Sequence, residues 1–323
     1  MLTLPMSGPL LTLLAMPKPF EGHIGIIQRN AITSWTNLNP RPEIFLFGEE
    51  KGTAEIASEL QIGHLRDIRR TEFGTPLLSD LMQRAKNVSK SPMLGYVNCD
   101  IILLQEFQDS IVAIHEQIAQ FLAVTHRWEI DLRKNLDFNA ARPLHLGLLP
   151  PGVPGHHTAI DAFVFTRDVY SEVPALALGR AWFDQWLIKD ALLHGTPVVD
   201  ITKVARAIHQ NHDYAHIAGG QRGAYGGEEA RRNLDIYGGV PHAFTLLNAT
   251  HELRGDRSIR PIHYRTQKYR VQQWLWRTFV QRTAPLRNAW ECSARRKNLI
   301  TVTLNSVHQS CRLVWMKCRT LIA

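Results

Sequence analysis

The sequence predicts an α/β fold in three layers, a mostly parallel sheet with helices on both faces, plus a C-terminal basic helical extension. Three observations carry that expectation. Apolar runs of strand length alternate with stripes of helical spacing between residues 10 and 131, the order that places crossover helices over a parallel sheet. One run, Gly95-Tyr96-Val97-Asn98-Cys99-Asp100-Ile101-Ile102-Leu103, sets an amide and a carboxylate between two apolar halves. A buried parallel strand ending there would present Asn98 and Asp100 at the sheet edge where ligands bind in open α/β folds. The third observation is charge. Residues 257–323 hold 14 Lys and Arg against one acid, Glu291, whereas the preceding 256 residues hold 23 basic against 28 acidic residues. A mildly acidic body therefore carries a strongly basic tail.

Taken in order, residues 10–16 read as a first buried strand, stopped by Pro17 and Pro19. Ile24, Ile27, Ala31 and Trp35 recur at helical spacing after it. No Gly-x-Gly-x-x-Gly and no Walker lysine motif follows the strand, which argues against a dinucleotide or P-loop site. Residues 42–48 form a second strand, 53–60 a short helix and 62–68 a weaker third strand. Leu77, Leu78, Leu81, Met82 and Ala85 share one face of the next helix, with Pro76 at a favoured first-turn position. Beyond the Asn98/Asp100 strand, Phe107, Ile111, Ile114, Ile118 and Phe121 mark a helix, and 122–130 a strand ending at Asp131. The Pro- and Gly-rich residues 148–157 are a loop. Asp161 leads a strand over 161–165, the spacing from 180 to 193 is helical, and 198–200 is a short strand with Thr202 as a helix N-cap behind it. Five glycines in residues 219–227 predict a mobile loop, and 228–237 a polar helix.

At 323 residues, 45% hydrophobic and 20% charged, the chain has an ordinary globular composition. Its four cysteines form no Cys-x-x-Cys pair, so a reducing compartment is expected. Residues 1–16 carry no positive charge ahead of their apolar run and hold Pro5, Gly8 and Pro9, which argues against a signal peptide. No uninterrupted apolar stretch approaches the roughly 18 residues that a membrane span needs. The expected localisation is cytoplasmic.

The segments 20–35, 95–103, 161–165, 179–187 and 208–216 together resemble a glycosyltransferase of the GT-A fold. The resemblance is to a family-2-like bacterial and plant group with the motifs Asn-x-Asp (98–100), Gly-Arg-x-x-x-Asp-x-Trp-Leu (179–187) and a His-Gln segment ending in Tyr-x-His (209–216). It covers roughly residues 10 to 220. It implies a GT-A-like body over 1–250, with a nucleotide-binding half 1–135 and an acceptor half 136–250; the charge pattern leaves a basic, Trp-containing helical tail over 251–323. It also implies a nucleotide-diphosphate sugar as donor and a divalent metal, Mn or Mg, as cofactor. The first position of the usual Asp-x-Asp motif is Asn98, so Asp100 alone supplies charge there. The resemblance points to His209 and His216 as further metal ligands. On a helix His209, His212 and His216 would share one face; a zinc site would lack a fourth protein ligand. Asn98, Asp161, Arg180, Trp182, Gln28 and Arg29 are the candidates for donor and acceptor binding.

Asp184 is the candidate general base. It sits between Trp182, Phe183 and Trp186, where desolvation would raise its basicity. The competing arrangement is an amphipathic helix whose Asp faces solvent while the Trp residues build core. The tail mixes its cations with Tyr264, Tyr269, Trp274, Trp276, Trp290 and Trp315. Such a segment fits peripheral contact with an anionic membrane and a lipid-linked acceptor; a helix packed on the body fits as well. No nucleic-acid-binding motif accompanies the charge. Two other functions remain open: a sugar-phosphate nucleotidyltransferase, which would want a glycine-rich loop where the chain has 16–22, and a non-catalytic nucleotide-sugar-binding or scaffold protein, suggested by Asn98.

Overall fold

The computed structural model describes residues 8–138, 149–212, 220–239 and 244–263. The chain divides into two units, Met1–His263 and Tyr264–Ala323. The second lies wholly outside the described residues, and with it most of the tail expected from sequence.

The first unit is α/β. Its elements are β1 (Leu11–Ala15), α1 (Gly22–Thr36), β2 (Glu43–Phe47), α2 (Thr53–Glu59), β3 (Gly63–Leu65), α3 (Leu78–Val88), β4 (Met93–Val97), β5 (Ile101–Leu103), α4 (Gln105–His115), β6 (Leu122–Val124) and β7 (Arg127–Ile130). They continue with β8 (Val153–Pro154), β9 (Ala162–Thr166), α5 (Phe183–Leu193), β10 (Val198–Asp200), β11 (Ala207–Gln210), α6 (Gly220–Gly226), α7 (Glu228–Tyr237), β12 (His251–Leu253) and β13 (Ile259–Pro261).

Nine strands form the main sheet in the order β13-β12-β10-β6-β9-β4-β1-β2-β3. The pairs β3–β2–β1–β4 and β6–β10–β12 are parallel, whereas β9 runs antiparallel between β4 and β6, as β13 does at the edge. Strands β1, β4 and β9 are buried along their whole length, which is why they read as unbroken apolar runs. A second sheet of four short strands, β5-β11-β7-β8, lies beside the first.

Two of the apolar runs are each divided between the sheets. The chain leaves the main sheet at Val97 and joins the small one at Ile101, with Asn98-Cys99-Asp100 as the crossing. It does so again between Val124 and Arg127. Trp35 of α1 backs the first crossing, its indole Nε1 donating to the Ile101 carbonyl at 2.8 Å.

Several local expectations are corrected. α3 begins at Leu78 rather than around Pro76, because Pro76 pairs with Arg70 in a bridge and its carbonyl accepts from Leu178 N at 2.9 Å. Thr202 caps no helix; its hydroxyl accepts from His126 N at 3.0 Å. His209 lies on β11, not on a helix, since residues 207–210 pair on both sides with β5 and β7. The glycine-rich stretch holds a short helix, α6, against which the main chain of Ala181 donates to Ala224 O at 3.1 Å. β12 and β13 extend the main sheet past residue 250, so the proposed tail boundary at 251 falls within the sheet. Among the described residues, no helix is long and apolar enough to cross a membrane.

Candidate active site

A cleft of about 770 Å³ opens over the first crossing between the sheets. β4 delivers Asn98 and Asp100 to its floor, β11 delivers His209, and the loop after β11 delivers His212. Asn98 and Asp100 thus lie just past the carboxyl end of β4, the edge at which open α/β sheets bind ligands.

Asp100, His209 and His212 offer ligand atoms that all lie within 4.8 Å of one another. His212 Nε2 is 2.9 Å from Asp100 Oδ2 and His209 Nε2 is 3.8 Å from it. The other atoms, Asp100 Oδ1 and His209 Nδ1, are buried without a hydrogen-bond partner. A buried polar atom left unpaired costs about 1–3 kcal/mol, and the unpartnered Asp100 Oδ1 within this cluster fits a bound cation. Burial alone would raise the Asp100 pKa, but His209, a hydrogen bond from His212 and the Lys18 charge hold it well below the ordinary carboxylate range. The group is an anion throughout the physiological range, as a ligand must be.

Lys18 is placed by Gln28. The Gln28 side chain accepts from Lys18 N at 2.6 Å and donates to Lys18 O at 2.8 Å, a two-point clamp from α1 onto the loop after β1. Gln28 therefore lines the cleft but spends its amide on the backbone. Arg29, one residue on, is a correction: it pairs with Glu59 at the surface and does not line the cleft. His216 lies outside the described residues; His212 stands beside Asp100.

Next to the metal-type cluster, Asn98 Nδ2 donates to Asp161 Oδ1 at 2.8 Å and Asn98 N to Asp161 O at 3.0 Å. The other oxygen of Asp161 accepts from Arg127 at 3.1 Å, and Arg127 also reaches Glu129 at 2.8 Å. Burial works against the guanidinium charge of Arg127, and Asp161 and Glu129 outweigh it. Asn98 thus serves as a hydrogen-bond donor where a second carboxylate would have repelled Asp161.

The opposite wall carries Asp184 in the first turn of α5. Asp184 is partly buried, and its pKa rises to about 7 through burial first and the nearby Asp161 charge second, against hydrogen bonds from Gln185 and the backbone. Of its aromatic neighbours, Trp186 is core and Phe183 is buried at the cleft's edge; Trp182 lines the cleft with its ring 5.2 Å from that of Tyr237. Trp182 sits at φ +82°, a backbone state that a bulky side chain adopts only when its surroundings impose it. Gln185 Oε1 accepts from Trp182 N at 2.9 Å and helps to do so.

Arg180 is held by Glu229 at 2.8 Å and by Thr75 Oγ1 at 2.8 Å, and Glu229 also accepts from Thr75 and Thr71. Sequence reading missed Lys18, Arg127, Glu129, Thr75 and Glu229. Thr75 meets Glu229 across 154 residues and Arg127 meets Asp161 across 34, and no local spacing announces those meetings.

No protein-family model matches the chain, and neither does any curated protein. Some solved structures are similar at low identity. S. aureus TarS 1-349 in complex with UDP-GlcNAc is 10% identical, with a TM-score of 0.43, over 62% of this chain and 58% of that one. Mannosyltransferase PcManGT from Pyrobaculum calidifontis, in complex with GDP-Man and Mn²⁺, is 8% identical with a TM-score of 0.45, over 98% and 86%. Glucosyl-3-phosphoglycerate synthase from Mycobacterium tuberculosis, in complex with Mg²⁺ and UDP, is 12% identical with a TM-score of 0.47, over 79% and 91%. The chain spans less than two thirds of the length of TarS 1-349. Likeness at this level leaves the activity to be argued from the site.

Proposed function

We propose that this chain is a GT-A-type glycosyltransferase that moves a sugar from a nucleotide-diphosphate sugar to an acceptor hydroxyl with the help of a divalent metal. One observation carries the reading: Asp100, His209 and His212 offer ligand atoms within 4.8 Å of one another at the crossing between the two sheets, and Asp100 Oδ1 is buried without a partner. Two imidazoles and one carboxylate suit Mn²⁺ better than Mg²⁺, whose ligands are almost all oxygen. Bound there, the ion would supply positive charge to the departing diphosphate, a contribution of several kcal/mol.

The chain's own groups divide the remaining work. Lys18, held in place by Gln28, adds a fixed cation on the side of Asp100. Asp184, with a pKa near neutrality, takes the acceptor hydroxyl's proton as the sugar carbon is attacked, and a single base of this kind fits inversion. Asp161 has both oxygens engaged by Asn98 and Arg127; it acts by position and by raising the basicity of Asp184. In the same reading, the basic tail brings the enzyme to an anionic surface, which supports a lipid-linked acceptor.

The test is nucleotide release from a panel of UDP- and GDP-sugars with Mn²⁺, followed by mass spectrometry. Release that disappears in Asp100→Ala is expected. Wild-type protein that binds a nucleotide-sugar without releasing or transferring from it, with any metal, would contradict the reading in favour of a non-catalytic binder.

A further inference from the structure

The mouth of the cleft presents two exposed aromatic rings that the mechanism above leaves unused. Phe73 is 55% exposed and Tyr225 is 56% exposed, and both line the cleft that holds Asp184 and Arg180. Isolated exposed aromatics are ordinary on a protein surface. These two are different because the fold fastens them in place.

Phe73 stands at the tip of a tight hairpin. Thr71 N donates to Thr75 O at 2.8 Å and Gly74 N to Thr71 O at 3.0 Å, with Gly74 at φ +82°, the three-residue loop closed by a left-handed glycine. That hairpin is pinned to α7 from two directions. Thr71 and Thr75 donate to Glu229, while Arg232, ion-paired to both Glu72 and Glu228, lays its guanidinium 5.5 Å from the centre of the Phe73 ring. Tyr225 belongs to α6, whose neighbouring Ala224 carbonyl accepts from Ala181 N at 3.1 Å. The turn that starts at Ala181 leads directly into Asp184, so Tyr225 is attached to the wall that bears the base.

We propose that Phe73 and Tyr225 form a platform for a pyranose ring of the acceptor, which makes the acceptor a carbohydrate. A pyranose has one face of C–H groups and a rim of hydroxyls. The C–H face matches an exposed aromatic surface, and the rim matches Thr75, Arg180 and Gln185, which line the same cleft. A mix of aromatic surface with a few placed polar groups is the usual make-up of a small-ligand site. The inference rests on the glycosyltransferase reading for the position of Asp184.

The experiment is saturation-transfer NMR of the full chain with a panel of methyl pyranosides, in the presence of UDP or GDP and Mn²⁺. At least one pyranoside binds, with the strongest transfer to the protons of one ring face. Phe73→Ala and Tyr225→Ala each weaken that binding about five- to tenfold, Phe73→Trp restores it, and the surface control Arg29→Ala leaves it unchanged. Titration with UDP-sugars against UDP in the same variants separates the source. A platform for the donor's own sugar would weaken the UDP-sugar and spare UDP, and that outcome overturns the acceptor assignment. Pyranoside binding unmoved in both alanine variants, or absent while nucleotide binds, also overturns it. Wild-type protein that binds no nucleotide at all would instead remove the reading on which the inference stands.

Discussion

The floor of the cleft and the wall opposite it are built by different physics. The floor is made of strand ends. Asp100 and His209 are fixed by ladders that belong to two sheets, and the side chains behind them, Ile101, Ile102 and Ile208, are fully buried. Displacing those ligands would mean breaking sheet pairing and core packing at once. The wall is made of short helices, glycines and a left-handed Trp182, and side-chain hydrogen bonds to a single carboxylate, Glu229, tie much of it together. Regions secured by few polar contacts open more readily than regions secured by apolar burial. The proposed transferase would use both: a rigid seat for charge that develops on the diphosphate, and an adjustable side that can admit an acceptor.

The sharpest way to break the comparison is at the floor. Asp100→Ala removes the only carboxylate of the cluster and is expected to lower turnover roughly 10³-fold, as loss of several kcal/mol of charge stabilisation requires. Because the strand ladders remain, the variant should still fold, with a lower melting temperature than wild type at neutral pH, since the fold favours the Asp100 anion. Next comes the wall. Asp184→Asn is expected to cost on the order of 10²-fold in kcat. In the wild type, kcat/KM should climb with pH through about 7 as the carboxylate forms.

The same carboxyl gives a stability signature. Its pKa is higher in the fold than the roughly 4 of an unfolded chain, so the fold favours the protonated form. That stability is complete below about pH 4 and is lost as pH rises through 7. Asp184→Asn should therefore melt higher than wild type at pH 8 and about equally at pH 4, by calorimetry. Turnover that falls with rising pH near 7 would remove Asp184 from its role.

Glu229→Gln tests how the wall is held. Removing the charge that Arg180, Thr71 and Thr75 share should cost about 1.5–3 kcal/mol in denaturant unfolding, with faster amide exchange in α6 and α7 and unchanged Mn²⁺ affinity. The smallest effect is expected at Arg29, whose exposed pair with Glu59 is worth under about 1 kcal/mol; Arg29→Ala should leave both turnover and stability nearly as they were.

The two regions also differed in how far they could be read from sequence. Buried strands announce themselves by unbroken apolar runs, so β1, β4 and β9 were legible, and Asn98 and Asp100 stood out as polar interruptions. What the runs could not show was that 95–103 and 122–130 each cross between two sheets, since a buried residue looks the same in either. The histidines were visible as a group, yet a helical spacing was assigned to them where tertiary pairing makes residues 207–210 a strand. On the wall, Arg180, Trp182 and Asp184 were legible as a local motif. Glu229 and Thr75 were not, because their meeting depends on segments 154 residues apart in the chain. Arg29 was a miss of another kind: it shares a helix with Gln28, but neighbouring helical residues point to different faces.

The central claim is that Asp100, His209 and His212 bind one divalent cation that meets a nucleoside diphosphate. The direct measurement is Mn²⁺ binding by electron paramagnetic resonance, with UDP or GDP present, in the wild type and in the three single alanine variants. One equivalent of bound Mn²⁺ in the wild type, and loss of that site in Asp100→Ala with marked weakening in both histidine variants, is the result this account predicts. Mn²⁺ bound equally well by wild type and Asp100→Ala, or by none of them in the presence of nucleotide, would contradict it.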